Sequence, residues 1–309
     1  SSVGKYGGDT DNWMWPRHTG DFTLFRVYAD KDNKPAEYSE DNKPYTPKHS
    51  LPVSLKGVQP GDFSMIFGYP GSTDRYLTSE GINYELEVRQ PVSVKLRRQV
   101  LDAYQEGMDK SEKTRIQYAS KFASVANYWK YFIGQQAGLK RLKVYDKKKA
   151  QEDALAAWIE KDADRKKLYA GVIEGFKTGY DNMKDANRVR VYLNEAIFRV
   201  EAIAYSFQFS GLRSALESDN ETSTKQTVER IKGGMDAHFK DYDMMIDRNV
   251  FAAMMKDYSN DIPKENQPED FKKMITKYKG DFNKMAEVVY AKSIFGSEEK
   301  VTAFLEKPS

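Results

Sequence analysis

The densest gathering of chemically capable side chains is the stretch Gly7 to Asp21, GGDTDNWMWPRHTGD. It holds two Trp, an Arg, a His and three Asp, and it has no regular apolar period. Packing of one helix or strand face therefore does not account for its composition. Trp13 and Trp15 bring large apolar surfaces with one N–H donor each. Asn12 offers both donors and acceptors, which suits reading a small polar group of a ligand. Arg17 carries a planar fork of donors that can brace a loop or hold a carboxylate. Pro16 biases Trp15 towards an extended backbone. Asp21 stands directly before Phe22 to Tyr28, FTLFRVY, an aromatic and β-branched run that suits a strand. Its carboxylate is thus expected at a strand end, where it can orient a catalytic group. A functional loop and a structural corner both fit these residues.

Other chemistries are poorly supported. His18, His49 and His238 are the three histidines, and they share no metal-ligand spacing. Cysteine is absent, which excludes a thiolate nucleophile, a disulfide framework and a Cys-ligated zinc. No metal and no cofactor are expected. His18 with Asp21 supplies two members of a Ser-His-Asp triad, although a local hydrogen bond explains an i, i+3 pair equally well. There is no Gly-x-Ser-x-Gly elbow. Phe67-Gly68-Tyr69-Pro70-Gly71 lacks the pattern of a phosphate-cradling loop. Asn220-Glu221-Thr222 fits a glycosylation sequon, a triplet common by chance. The net charge of +3, from 49 Lys+Arg and 46 Asp+Glu, argues against a nucleic-acid partner recruited by basic excess. The basic cluster of Lys140, Arg141, Lys143, Lys147, Lys148 and Lys149 can bind an anion or simply be a solvated helix face. No apolar run reaches the roughly 18 residues of a membrane span, and the opening residues do not read as a signal peptide.

Proline separates the elements that must position these groups. Eight prolines fall between Pro16 and Pro91, and none follows until Pro263. Residues 1–78 read as strands and turns, with Phe63 to Tyr69 as a second strand candidate and tight turns at Gln59-Pro60-Gly61-Asp62 and Tyr69-Pro70-Gly71-Ser72. From Ser79 the period becomes helical. Val92, Leu96, Val100, Tyr104 and Met108 form one stripe. Tyr118, Phe122, Val125, Trp129 and Phe132 form a second, and Leu193, Ile197, Val200, Ala204 and Phe207 a third. Ser223 with Gln226 suggests a capping box, and Gln267-Pro268-Glu269-Asp270 a helix start. Residues 79–309 are expected to be an all-α domain.

The stretch Gly7 to Phe22 resembles the signature of the bacterial dipeptidyl-peptidase 7/dipeptidyl-peptidase 11 family of serine exopeptidases. Phe67-Gly68-Tyr69-Pro70-Gly71-Ser72-Thr73 with Arg75-Tyr76-Leu77, and Ala126-Asn127-Tyr128-Trp129-Lys130, are similar to the same family. The resemblance runs from one end of the chain to the other. It implies an α+β multidomain fold, in which part of a chymotrypsin-like antiparallel β-barrel (1–78) is followed by a large helical, capping domain (79–309). Residues 1–78 hold too few apolar strands to bury a closed barrel core alone.

The resemblance also implies roles. Asp21 matches the triad Asp, which accepts the Nδ1–H of the catalytic His. Asn12, the backbone at Trp13, and Asn127 match the residues that bind the N-terminal ammonium of a peptide, with Arg17 bracing that pocket. The family's His lies upstream of the motif and its Ser near the end of the full enzyme. The chain is therefore expected to be an internal fragment, inactive alone, of an enzyme that cuts dipeptides from free N-termini. The full enzyme is expected to be a homodimer in the periplasm or at the surface of a Gram-negative bacterium. Members resembling dipeptidyl-peptidase 11 prefer an acidic residue next to the cut, and those resembling dipeptidyl-peptidase 7 a hydrophobic one. The alternative is a non-catalytic helical binding or scaffold protein retaining a barrel segment.

Overall fold

A β-strand needs lateral hydrogen bonds and a buried face, and the proline spacing of the N-terminal region works against both. The computed structural model describes residues 12–13, 24–65, 67–69 and 71–308. The chain divides into two units, Ser1–Arg75 and Tyr76–Ser309. In the first, the described residues form a single antiparallel pairing. Strand β1 (Tyr28–Ala29) runs against β2 (Lys43–Pro44), with Tyr28 opposite Pro44 and Ala29 opposite Lys43. Its connection is tied by side chains. The Asp30 carboxylate accepts from the Asp32 and Lys34 amides at 2.8 and 2.9 Å. Asn33 exchanges two bonds with the Thr46 backbone at 2.8 and 2.9 Å.

This overturns the expected fold class. No barrel, whole or partial, is present among the described residues, and the chain is predominantly α-helical. Among the described residues of the expected strand Phe22 to Tyr28, Tyr28 alone lies in a strand, with the Val27 carbonyl accepting the Tyr45 amide at 2.9 Å, and the described part of Phe63 to Tyr69 pairs nowhere. Phe25 is 89% exposed and Phe67 93%, while Ala29 alone among the described residues of this unit is buried. Strand propensity is largely a measure of fit to a half-buried pleated surface. Here Pro35, Pro44, Pro47, Pro52 and Pro60 each remove a ladder donor, and the described apolar side chains Leu24, Phe25, Phe63 and Phe67 are exposed.

The second unit is helical throughout its regular structure. Helix α1 (Ser79–Tyr84) is capped by Thr78 and passes into a π-helical turn, Glu85–Arg89, and then α2 (Gln90–Met108). Pro91 explains the π-turn. It has no N–H for a bond to the fourth residue back, and the Gln90 amide instead reaches five residues back to the Glu85 carbonyl. Helices α3 (Glu112–Arg141), α4 (Val144–Glu160), α5 (Ala163–Tyr169) and α6 (Val172–Glu195) follow. Beyond them lie α7 (Glu201–Ser206), α8 (Ser210–Glu217), α9 (Glu221–Lys240) and α10 (Met244–Asp261). The last are α11 (Glu269–Lys277), α12 (Phe282–Lys292) and α13 (Glu298–Glu306).

The first two stripes pack as read. Leu96, Val100 and Tyr104 of α2 and Tyr118 and Val125 of α3 are buried in one core with Val250, Met254 and Tyr258 of α10 and Met285 of α12. Helices α2 and α10 approach so closely that a Cβ on Gly107 would lie 2.2 Å from Ile246 Cδ1. A smaller core joins Tyr205 and Phe209 to Leu212, Val228, Ile231, Val301 and Leu305. The third stripe does not form one helix. The chain leaves α6 at Ala196, makes a 3₁₀ turn at Ile197–Arg199, and is extended at Val200, with φ −74° and ψ 112°. The expected cap at Ser223 is displaced by Asn220, whose side chain accepts the Ser223 amide at 2.9 Å and starts α9 three residues earlier. Helix α11 begins at the expected place, with Glu269 and Asp270 in its first turn. Among the described residues no helix is long and apolar enough to cross a membrane.

Candidate functional site

Helix α3 carries Asn127. Its start is fixed by Ser111, which accepts the Thr114 amide at 3.0 Å, and Lys140 and Arg141 stand in its last turn, where cations suit the dipole. With one face committed to the core, a polar row remains beside it. Asn127, Tyr131 and Gln135 follow at i, i+4 and i+8, and all three are half-buried. The row continues into a hydrogen-bonded chain. Gln135 donates to the Tyr131 hydroxyl at 2.7 Å, and Gln90 donates to Gln135 at 2.5 Å. Gln90 also donates to Glu85 at 3.0 Å, and Glu85 accepts from Arg89 Nε at 2.6 and 2.7 Å. Both Glu85 and Arg89 belong to the π-helical turn, so the backbone irregularity at Pro91 places them beside α3.

Arg97 of α2 packs against the same helix, α3, and is 5% exposed. Its Nη2 donates to Glu195 Oε1 at 2.9 Å and its Nη1 to the Val125 carbonyl at 3.4 Å. The guanidinium carbon sits 5.4 Å from the Tyr128 ring centre and 5.7 Å from that of Phe132. Burial lowers the guanidinium pKa from its usual value, and the Glu195 carboxylate opposes that shift. Arg199 approaches the other Glu195 oxygen at 3.6 Å.

Asn12 and Trp13 share a turn in the N-terminal unit. Asn12 is half-buried, and Trp13 is half exposed with φ 60°, a left-handed conformation uncommon for a bulky residue. Arg17 and Asp21 lie outside the described residues, as does His18. Of the other two histidines, His49 is exposed and His238 belongs to the smaller core's edge. The His238 ring stacks on Tyr205 at 4.0 Å, and burial, with Lys121 nearby, pushes its pKa down to about 4. It therefore stays neutral at pH 7 and has a packing role. The basic cluster lies around the α3–α4 turn, where Lys143 is left-handed and Lys149 pairs with Asp153 at 2.6 Å.

A second polar cluster sits in the main core. Asp247 of α10 is 1% exposed. It accepts from the Glu201 and Ala202 amides at 2.6 and 2.9 Å, from the Tyr290 hydroxyl at 2.7 Å, and from that of Tyr242 at 3.2 Å. Burial pushes its pKa up to about 6 despite these donors, and the Glu201 carboxylate adds to the rise. Glu201 is itself paired with Lys121 at 2.6 Å and accepts from the Tyr118 hydroxyl at 2.9 Å. Asp247, Arg97 and Glu195 were missed by the sequence reading. A signal existed for Asp247, which falls on the apolar face with Val250, Phe251 and Met254 at i+3, i+4 and i+7.

The peptidase S46 family model matches residues 1–309. The chain belongs to the peptidase S46 family. It is 42% identical over 307 residues to dipeptidyl-peptidase 7 of Porphyromonas gingivalis, covering 99% of this chain and 42% of that protein. An Asp/Glu-specific dipeptidyl-peptidase of Capnocytophaga gingivalis is 38% identical, with 99% and 42% covered. The crystal structure of Porphyromonas endodontalis DPP11 in complex with the dipeptide Arg-Glu superposes with a TM-score of 0.79 at 32% identity, over all of this chain and 44% of that one. The family resemblance read from Gly7 to Phe22, Phe67 to Leu77 and Ala126 to Lys130 is thus borne out. This S46 chain spans about two-fifths of the length of the curated relatives it matches.

Proposed function

We propose that the chain forms part of a serine-type dipeptidyl-peptidase of the S46 family that releases dipeptides from free peptide N-termini. The observation that carries this reading is the match of the whole chain to a dipeptide-bound relative. The mechanism is acyl transfer through a Ser-His-Asp triad, whose Ser and His lie outside residues 1–309. Asp21 orients the His and stabilises the imidazolium that forms as the Ser attacks. Asn12, the Trp13 carbonyl and Asn127 accept from the substrate ammonium, which has three donors and no acceptor. Arg17 braces that pocket. These groups thereby select free N-termini, because a blocked amine lacks the charge and donors these oxygens need. The complete enzyme acts as a homodimer in the periplasm or at the cell surface of a Gram-negative bacterium.

The test compares dipeptidyl p-nitroanilides with free and N-acetylated N-termini on the complete peptidase. Acetylation should abolish turnover in the wild type. Asn127→Ala should raise KM for the free substrate by roughly tenfold, the loss of one hydrogen bond to a charged group. Equal turnover of free and acetylated substrates contradicts the amine-binding assignment.

A further inference from the structure

The Arg97–Glu195 pair is an expensive way to hold helices together. Taking both charges out of water costs several kcal/mol per ion, and a buried apolar pair of similar volume commonly serves stability as well or better. The pair is also incompletely satisfied: among the described residues Arg97 Nε has no hydrogen-bond partner, and Glu195 Oε2 has the 3.6 Å approach of Arg199 but no hydrogen bond. Its contacts show what it does hold. On α3 the guanidinium touches the Val125 carbonyl and the Tyr128 and Phe132 rings. Two of these flank Asn127, two residues before and one after. The third lies one turn beyond Tyr128. The other arm of the fork is anchored on Glu195, the last residue of α6.

We infer that Arg97 is a positioning residue for substrate-amine recognition, fixing the rotation and height of the α3 turn that presents Asn127, with Glu195 holding Arg97 in place. This rests on the reading of Asn127 as a ligand of the substrate ammonium. Two features support the assignment over a purely structural one. The planar fork reaches two elements at once, so the turn is referenced to α6 as well as α2. Glu195 is also approached on its other oxygen by Arg199 at 3.6 Å, so the anchor of the fork is tied to the turn that follows α6.

The experiment is a double-mutant cycle on the complete peptidase, using a dipeptidyl p-nitroanilide with a free N-terminus. Arg97→Met keeps the aliphatic stem and removes the fork. It should raise KM by roughly tenfold while kcat stays within about twofold. Combined with Asn127→Ala, it should add little to the KM of Asn127→Ala alone, because both changes remove one interaction. Glu195→Gln should raise KM in the same direction. Two results overturn the inference while leaving the amine reading intact. One is an unchanged KM in Arg97→Met where Asn127→Ala raises it; the other is fully additive KM effects in the double variant. An unchanged KM in Asn127→Ala instead removes the amine reading, and with it this inference. Should Arg97→Met not fold, Arg97→Lys completes the same cycle. It keeps the charge and loses the fork, and an additive KM effect there has the same overturning force. A role confined to stability would lower the melting temperature without coupling to Asn127.

Discussion

Replacing Asp247 by Asn changes one buried atom and one buried charge while keeping the side-chain shape. Oδ1 accepts from the Glu201 amide at 2.6 Å, and an Asn oxygen can do the same. At Oδ2 the carboxylate accepts from the Ala202 amide and from the Tyr290 and Tyr242 hydroxyls. An Asn NH2 there can accept nothing. The hydroxyls can rotate and become acceptors, but the Ala202 N–H cannot turn. One buried backbone donor is left unpaired, a loss of about 1–3 kcal/mol. The charge acts in the opposite direction. Burial pushes the Asp247 pKa from 3.8 up to about 6. Between these values the folded chain keeps a proton that the unfolded chain has released, so stability falls as pH rises. This contribution is fully present below the unfolded pKa and lost as pH passes the folded one. The change is worth about 3 kcal/mol, since one pK unit is about 1.4 kcal/mol. Asn cannot titrate. Wild type should therefore exceed Asp247→Asn near pH 4, and the difference should shrink by about 2 kcal/mol, vanishing or reversing, by pH 7. Urea unfolding of both proteins, followed by far-ultraviolet circular dichroism across this range, measures it. Taking the difference between the two proteins cancels the other carboxylates. A pH-independent difference, or a wild-type advantage that grows with pH, would refute the reasoning.

Gly107→Ala should destabilise the helical unit by about 1–3 kcal/mol, because its Cβ would overlap Ile246 and α2 would have to move from α10. A thermal melt equal to wild type would show that the two helices separate freely. In the complete peptidase, Asp21→Asn should lower kcat by about 10⁴ with the fold intact, as expected for losing a triad Asp. Near-normal turnover would show that Asp21 does not orient the base.

The parts legible in the sequence were those set by local period and by a long specific motif. The stripes through Leu96 and Val100 and through Tyr118 and Val125 are repeated burial along one helix face, and such repetition survives in a single sequence. The Gly7 to Phe22 motif was enough for the family. The barrel expectation fails because FTLFRVY and FSMIFGY carry strand propensity but need partners, and propensity does not say whether partners exist. The cap at Asn220 is not distinguishable in the sequence, because Ser223 and Gln226 one turn later also satisfy the capping-box spacing. Asn127 was placed through the resemblance; as an isolated Asn on a helix it carries no signal. Arg97 and Glu195 could not be linked at all, because 98 residues separate them and neither breaks a local rule.

The third stripe shows why local period fails at the junction of α6 and α7. Leu193, Ile197, Val200, Ala204 and Phe207 describe an acceptable helix, yet the backbone is extended at Val200. The break is held by long-range polar bonds on both sides. Before it, Glu195 is bound by Arg97 and approached by Arg199. After it, the Glu201 and Ala202 amides are taken by Asp247, and the Glu201 side chain by Lys121 and Tyr118. A continuous helix would satisfy those two amides internally and leave the buried Asp247 without two of its four donors. Because α2, α3 and α10 supply these partners, the break and the core specify each other. The same bonds connect the α3 turn bearing Asn127 to the end of α6. Weakening Asp247 should therefore loosen α7 first, whereas weakening Arg97 should reach the Asn127 turn directly. The two substitutions act on opposite sides of one break, and only the second is expected to change KM.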